Sequence, residues 1–440
     1  MTHYDLERVG DVLVPLDPHG TASSPKLPCQ VDHPGGAYSR PSPTRGFPPG
    51  VRKIVDVSER TPVAGGEHCE CVVIGAGILG LSAAWSLARR GHEVVVLSAH
   101  EPGHALSGSK GSARIFRLSY PDPLYVAMAL ASQDRWQELE RASDRELLHT
   151  TGQVSFGADL DALVAAMDAG GAPFEPLTDG ETRARFPQMQ ITGPAVYEAA
   201  SGVLRADACL DALLRTGGFS LRAPGGVRAL EQMPQGGVRI AFHDGAAMSA
   251  DVVLNCAGPG ALSLVPELSA PVVAAASLQQ VVYLSPLPAA AQQPPPIFIE
   301  WGEDMVYGLP VVGTTMMKLS HHTPGLAVDV SSIGLDDIER DDPALTDLLR
   351  AAAARLLPTF AAEPVATERC LYDNTVDTDF VIDRVGDIVI GCGTSGHGFK
   401  FGPLIGALLA DLALGSTPSF DLARFSLGRS FLARGAGGSS

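Results

Sequence analysis

Cysteine is sparse in this sequence and never falls in a CxxC pair. Seven cysteines scattered over 440 residues make no disulfide framework. Their odd number suits a reducing compartment, so the cytoplasm is the expected location. Cys69 and Cys71 stand one residue apart, too close for a zinc clip, and the His321–His322 pair has no carboxylate or third ligand at helical spacing, so no metal is expected. Positive charge is short as well. Lysine and arginine together number 32 against 49 aspartates and glutamates, a net charge of −17. Nucleic acid is therefore not expected as the main partner, because neutralising phosphates needs a basic face. An anionic small molecule, which needs only one or two local cations, stays open. The first 20 residues carry Asp5, Glu7, Arg8 and Asp11 and lack the apolar stretch of a secretory signal. The uncharged run at 71–88 is long enough to raise the question of a membrane span. Its glycines fall at fixed offsets in a strand–turn–helix pattern, so it reads as buried core and no membrane partner is expected. The apolar run at 401–415 is short and interrupted by Asp411. No internal repeat is present.

What is present is organised as two domains, the natural expectation at this length. Residues 1–66 are rich in proline, glycine and serine and read as a disordered or wrapping arm. Val12–Val14 and Val51–Val57 are candidate short strands within it. Order begins at Cys71. The apolar run Cys71–Ile74 predicts a buried strand, Leu81–Arg90 a helix closed by Gly91, and Glu93–Leu97 a second strand, which together open a βαβ unit. A long amphipathic helix is predicted over 123–149, burying Leu124, Met128, Ala131, Trp136, Leu139 and Leu147. Shorter helices are expected at 159–168 and 207–216, and a strand at Asp251–Cys256. Gln279–Leu284, Ile297–Trp301, Met305–Leu309 and Met316–Ser320 read as an antiparallel sheet. A helix follows over Pro343–Leu356, with Asp342 as N-cap and Pro343 at the first helical position. A strand over Asp387–Cys392 feeds a last helix at 401–414. Mixed α/β patterns at both ends, with antiparallel strands between, imply a discontinuous nucleotide-binding domain with a second sheet domain inserted. The expected boundaries are 67–148, 200–270 and 375–430 for the first, 149–199 and 271–374 for the second, and a flexible tail at 431–440.

Three stretches carry chemistry. Gly75-Ala76-Gly77-Ile78-Leu79-Gly80 is GxGxxG between a strand and a helix. Its first glycine makes the tight turn, its second lets backbone approach a pyrophosphate, and its third allows close helix packing. The acidic residue that usually ends the next strand and holds a ribose is replaced by Ser98. Either Ser98 makes a weaker contact or Glu101 reaches back. Next, the small-residue loop Ser107–Ala113 leads to Arg114 and Arg117, and arginine suits fixed bidentate contacts with a carboxylate or carbonyl. The third stretch runs from Cys370 to Lys400. A lone cysteine precedes a turn, Ser395-Gly396-His397-Gly398, that opens a long apolar helix, and amides at such a start hold negative charge.

These blocks together resemble the monomeric sarcosine oxidase and N-methyltryptophan oxidase group of the D-amino-acid-oxidase-like flavoproteins, to which pipecolate oxidase and fructosyl-amine oxidases are related. The resemblance covers about residues 70–428. It is carried by GAGILG at 75, GSARIFR at 111, TGQVSFG at 151, SGVL at 201, VYGLP at 306, MKLSHH at 317, RCLYDNT at 369 and SGHGFKF at 395. It leaves the first 66 residues unexplained. The fold it implies is α/β, a discontinuous Rossmann-like FAD-binding domain with an inserted α+β substrate domain on a largely antiparallel sheet. It implies that Cys370 bonds its thiol to the 8α-methyl of FAD, with Tyr372 following. It implies that Lys318 holds a water near flavin N5 and promotes reaction with O2, and that Arg117 and Lys400 bind the substrate carboxylate. Tyr307 and His322 would line the substrate pocket and Arg114 would stack close to the flavin. Further cofactor contacts are expected from Gly75, Gly77, Ile78, Leu79 and Gly80, from Ser98 and Ser109, and from Ser395, Gly396, His397, Gly398, Phe399 and Lys400. Lys110 replaces a histidine common in that loop.

The charges make sense on their own terms. Reduced flavin is anionic, so nearby cations and a helix start stabilise it. O2 reduction begins with developing negative charge, which a placed ammonium favours. The flavin carries the redox chemistry and the protein orients and tunes. The expected activity is an FAD-dependent oxidase that converts a secondary amine or amino acid, N-methyl or cyclic and carboxylate-bearing, to an imine while O2 becomes H2O2. The expected partners are the small amine and O2, for a chain acting as a monomer. Two alternatives stand beside it. One is a dehydrogenase passing electrons to a carrier. The other is a tailoring flavoenzyme acting on a biosynthetic intermediate or a carrier-bound amino acid, with a carrier protein as partner.

Overall fold

The computed structural model describes residues 66–430, apart from 224, 269–270, 274, 289–293, 303–304 and 323–324, together with three short strands, Leu6–Val9, Val12–Pro15 and Arg52–Lys53. Two large sheets dominate, each of nine strands, with a three-stranded sheet beside them.

The first sheet is built on Glu67–Ile74, which runs parallel to Val94–Leu97 on one side and Ala247–Asn255 on the other. Ser220–Arg222 and Ile388–Cys392 extend it, again in parallel. Arg52–Lys53 pairs in parallel with Ser220–Leu221 at the outer edge; the rest of the expected Val51–Val57 strand lies outside the described residues. A central parallel strand is covered on both faces and so reads as a continuous apolar run. Cys71 and Val73 pack into the core formed with the helices, while Val72 and Ile74 face a second apolar cluster on the opposite side. The helix after this strand is Ile78–Arg89, starting three residues before the expected Leu81 because Gly77 already has N-cap geometry.

Helix Gly402–Ala413 lies against Ile78–Arg89 along a glycine seam. A Cβ on Gly402 would sit 2.4 Å from Ile78, and one on Gly406 would sit 2.5 Å from Ser82. Only bare backbone allows the two helices so close.

The long helix is shorter than periodicity suggested. It spans Pro123–Ser143, with Asp122 accepting from the Leu124 amide at 2.9 Å. Asp144 then takes a left-handed conformation (φ 52°) and stops it. The Glu140 carboxylate accepts the amides of Leu147 and Leu148 and turns the chain. Leu148–Thr150 becomes a strand paired with Gly202–Leu204, which also pairs with Arg114–Phe116. Leu147 is buried, but as part of this turn.

The second sheet is mostly antiparallel. Its centre is Ala276–Leu284, flanked by Met317–His321 and by Ala366–Tyr372, and it continues through Val306–Pro310, Ile297–Trp301 and Gln153–Gly157. Alternation gives it two different faces. Val282, Leu284, Phe298, Met317 and Leu319 pack against Leu349, Ala352, Ala353 and Leu356 of helix Pro343–Leu356. That helix begins as expected, with Asp342 accepting from the amides of Ala344 and Leu345. The other face looks toward the first sheet.

Candidate active site

A cavity of about 440 Å³ runs between the two sheets, from the glycine turn at Gly75 to Lys400, a volume typical of a small-molecule site. Its wall on the second sheet is set by register. Tyr283 lies opposite Lys318, Leu309 opposite Lys318, Ile299 opposite Tyr307, Val281 opposite Glu368 and Gln279 opposite Cys370. Residues directly opposite share a face. One face therefore presents Tyr307, Lys318, Glu368, Cys370 and Tyr372 together, although they come from three strands.

At the other end, two glycines of the first motif have separate physical reasons. Gly75 has φ 102° and a Cβ there would lie 2.4 Å from the Cys256 carbonyl oxygen. A Cβ on Gly80 would lie 1.9 Å from the Gly75 carbonyl oxygen, so this glycine serves packing, and it does not line the cavity. Gly77, Ile78 and Leu79 do line it. The Ser109 hydroxyl accepts the Ile78 amide at 2.9 Å, tying the small-residue loop to the helix start. Ser98 lines the cavity, with its hydroxyl donated to the His100 carbonyl at 2.7 Å; Glu101 lines it too.

At the far end the cations gather. Arg117 is buried, bonds the Ser119 carbonyl, and lies over the rings of Tyr120 (4.2 Å) and Trp301 (5.3 Å). Held between two aromatic faces, its guanidinium has a fixed plane. The Lys400 amino group donates to the Tyr120 hydroxyl and to the His397 carbonyl, both at 2.9 Å. Its own carbonyl accepts from Ser132 and from the Trp136 indole. Burial, reinforced by Arg117, holds Lys400 well below the ordinary lysine range. His322 lines the same region and is pushed down to about 3 by burial and by Arg117 and Lys400, so it is neutral at neutral pH. His397 lines the cavity and approaches the Thr378 carbonyl through Nε2 at 3.0 Å.

Lys318 is buried, and burial lowers its pKa while Glu368, 3.9 Å away, opposes this. Burial pushes the Cys370 thiol up, against the pull of Arg114 and Lys318. Arg114 donates to the carbonyls of Gly108, Lys110 and Ala113 and lies 5.6 Å over the Phe399 ring, so it shapes the loop as well as lining the cavity. Burial pushes the pKa of both the Tyr307 and the Tyr372 phenol up. Gly396 has φ 75°, and a Cβ there would lie 1.9 Å from the Tyr372 ring, so this turn needs glycine for both conformation and space. Gly398 and Phe399 line the cavity next to it.

Two expected contacts, Gly80 and Ser395, do not line the cavity. Ser395 is turned away from it. It has φ 46°, its amide donates to the Asp373 carbonyl, and its hydroxyl accepts the Thr375 amide at 3.1 Å. Both polar groups brace the turn from inside. Three residues were not anticipated: Glu368, Tyr283 and Tyr120. Glu368 stands two positions before Cys370, and strand alternation alone would have put it on the cysteine's face. Tyr120 stands three positions after Arg117.

A bare glycine turn, a helix start on the cavity wall, a long cavity and clustered cations at its far end fit an elongated dinucleotide with an anionic substrate beyond it. Comparison with known proteins agrees. Residues 70–412 match the FAD dependent oxidoreductase family, and the chain belongs to that family. It is 30% identical to human peroxisomal sarcosine oxidase over 385 residues, covering 82% of this chain and 96% of the relative. It is 28% identical over 380 residues to monomeric sarcosine oxidase from Bacillus sp. (strain B-0618), with the same coverage of 82% and 96%. Among solved structures, NikD, described as an unusual amino acid oxidase essential for nikkomycin biosynthesis, superposes with a TM-score of 0.72 at 23% identity, covering 83% of this chain and 99% of NikD.

Proposed function

We propose, with membership of the FAD-dependent oxidoreductases as premise, that this chain is an FAD-dependent oxidase of a carboxylate-bearing secondary amine. The C–H beside nitrogen and the N–H are lost, an imine forms, and O2 takes up the two electrons and two protons as H2O2. The observation that carries this is the pairing of Arg117 and Lys400 at the end of a cavity whose wall also presents Lys318 and Cys370. FAD, when bound, would supply the two-electron acceptor for the amine and return those electrons to O2.

The chain's own residues would do the rest. Gly75, Gly77 and the Ile78 helix start would hold the pyrophosphate, and Cys370 would anchor the cofactor covalently. Arg117 would take the substrate carboxylate edge-on, its plane already fixed by Tyr120 and Trp301. Lys400, held below its usual range, gains an opposite charge when a carboxylate arrives and so takes up a proton on binding. The proton of a substrate ammonium is one source, which leaves the neutral amine needed for oxidation. Lys318 would present an ammonium where charge develops on oxygen. Neutral His322, with Tyr307 and Met305, would shape the pocket around the amine. The two large sheets support the division into a cofactor domain at 67–148, 200–270 and 375–430 and a substrate domain at 149–199 and 271–374. The six cysteines among the described residues are all free, in keeping with a cytoplasmic enzyme.

A panel of N-methyl and cyclic amino acids, read by peroxide release, tests the activity. Turnover of at least one carboxylate-bearing secondary amine is expected, with no turnover of its amide. Absence of peroxide with electron transfer to an artificial dye would assign a dehydrogenase instead. Acid precipitation tests the anchor: flavin should stay with the wild-type protein and leave Cys370→Ser.

A further inference from the structure

The sequence holds five lysines, Lys26, Lys53, Lys110, Lys318 and Lys400, and arginine supplies every other basic position. Lys110, Lys318 and Lys400 are all buried. Lys318 and Lys400 line the cavity, and Lys110 stands behind it. The Lys110 amino group is 3.8 Å from one carboxylate oxygen of Glu368, and the Lys318 amino group is 3.9 Å from the other. The Tyr283 hydroxyl donates to the oxygen nearer Lys318 at 2.7 Å. Glu368 is thus shared between two ammonium groups, on the strand and the face that carry Cys370. A purely structural bridge in an arginine-rich chain would be better made by arginine, whose fork grips a carboxylate at two points. Lysine is a compact charge whose protonation can be tuned, which suits a group set to act rather than to brace.

We propose that Glu368 is a positioning residue that holds the Lys318 ammonium at the reacting end of the cavity, with Lys110 as its counter-ion on the far side. The proposal deepens the oxidase reading and rests on Lys318 acting there.

The groups facing Lys318 are Glu368 and Cys370 from strand Ala366–Tyr372, Arg114 from Arg114–Phe116, Lys110 from the loop before it, and the Tyr283 ring at 5.7 Å from the central strand. Burial disfavours the ammonium, and Arg114 and Lys110 add repulsion; among the charges, Glu368 is the main influence in its favour. Burial would raise Glu368 itself, but Lys318, the Tyr283 hydrogen bond, Lys110 and Arg114 outweigh it and hold the carboxylate below its usual range. Without Glu368, Lys318 would be a buried cation among cations, a state relieved by losing its proton or moving away. Lys110 balances the arrangement. It keeps Glu368 ionised and draws part of that charge away from Lys318.

The full-length protein labelled with [13Cε]lysine gives at most five lysine signals, and Lys318→Met identifies the one that matters. Wild type, Glu368→Gln, Glu368→Asp and Lys110→Met are titrated toward alkaline pH, as apoprotein and loaded with FAD. The Lys318 midpoint should fall by about one pH unit or more in Glu368→Gln, fall less in Glu368→Asp, and rise in Lys110→Met. The opposite signs of the two charge removals are what a packing role would not produce. A Lys318 midpoint unmoved by Glu368→Gln overturns the proposal; should that variant not fold, an unmoved midpoint in Glu368→Asp together with Lys110→Met does the same. In stopped flow, Glu368→Gln should slow flavin reoxidation by O2 progressively as pH rises, with anaerobic reduction by amine close to wild type. If Lys318→Met reoxidises at wild-type speed, the role given to Lys318 fails, while the lysine titration still decides on Glu368.

Discussion

The Lys400 amino group donates a 2.9 Å hydrogen bond to the Tyr120 hydroxyl, and the same Tyr120 ring lies 4.2 Å under the Arg117 guanidinium. One side chain therefore aims both cations. Burial pushes the Tyr120 phenol up to about 12, so it accepts from Lys400 as a neutral group.

Tyr120→Phe keeps the ring and removes the acceptor. A hydrogen bond to a charged group contributes about 1.5–3 kcal/mol, so KM for the amine should rise roughly tenfold or more. Reoxidation by O2 should not change, because the lost contact is on the substrate side. Steady-state and stopped-flow measurements on one preparation separate the two; an equal loss in both would make Tyr120 a packing residue.

Lys318→Met keeps the length and apolar stem and removes the charge. Reoxidation should slow by about 10²-fold or more, the scale on which placed electrostatic groups act. Anaerobic reduction should be nearly unaffected. Comparable slowing of both half-reactions would reduce Lys318 to a structural role.

His322 gives a pH signature of stability. Its pKa is depressed from 6.5 in the free side chain to about 3 in the fold. Between those values the unfolded chain holds a proton that the folded chain does not. Stability from this site is therefore intact above the free value and is lost as pH falls from there toward 3, by at most about 1.4 kcal/mol per pH unit. His322→Gln, which cannot titrate, should flatten the acid limb of a thermal-melting profile. A profile parallel to wild type would show that His322 takes up its proton inside the fold.

Gly406→Ala places a methyl group against the Ser82 backbone. Neither helix can yield locally, since the contact is with main chain, so destabilisation of about 1–3 kcal/mol is expected, visible in denaturant melts. FAD retention should fall with it, because the displaced helix start lines the cavity. A variant as stable as wild type would mean that the helices slide apart without cost.

The elements most legible in the sequence were those whose cause is local. Asp342-Pro343 begins a helix at the expected residue, and Ile297–Trp301 is a strand at the expected bounds. The glycines at 75 and 80 were readable because each has a backbone reason. The end of the long helix was not readable, since periodicity continues past Ser143 while a left-handed Asp144 and the Glu140 side chain turn the chain away. Ser395 looked like a cofactor contact because it sits in a glycine turn, and only the fold shows its hydroxyl used by Thr375. Glu368 is not legible as a site residue in the sequence, because an isolated charge on a strand fits a solvated face equally well. In a sheet with a cavity on one side, the same alternation instead points it inward, beside Cys370 and opposite Val281.

The glycine seam between helices Ile78–Arg89 and Gly402–Ala413 has a consequence for ligand choice. The start of the first helix, and the turn that leads into the second, both open on the cavity. Backbone packed on backbone fixes the spacing between those two amide-rich ends before any ligand arrives. The pair acts as a ruler. A molecule long enough to touch both ends would be gripped twice, and a shorter one, such as a mononucleotide carrying the same ring, would be gripped once. Discrimination by length would then be a property of the main chain, and no substitution of a lining side chain should abolish it.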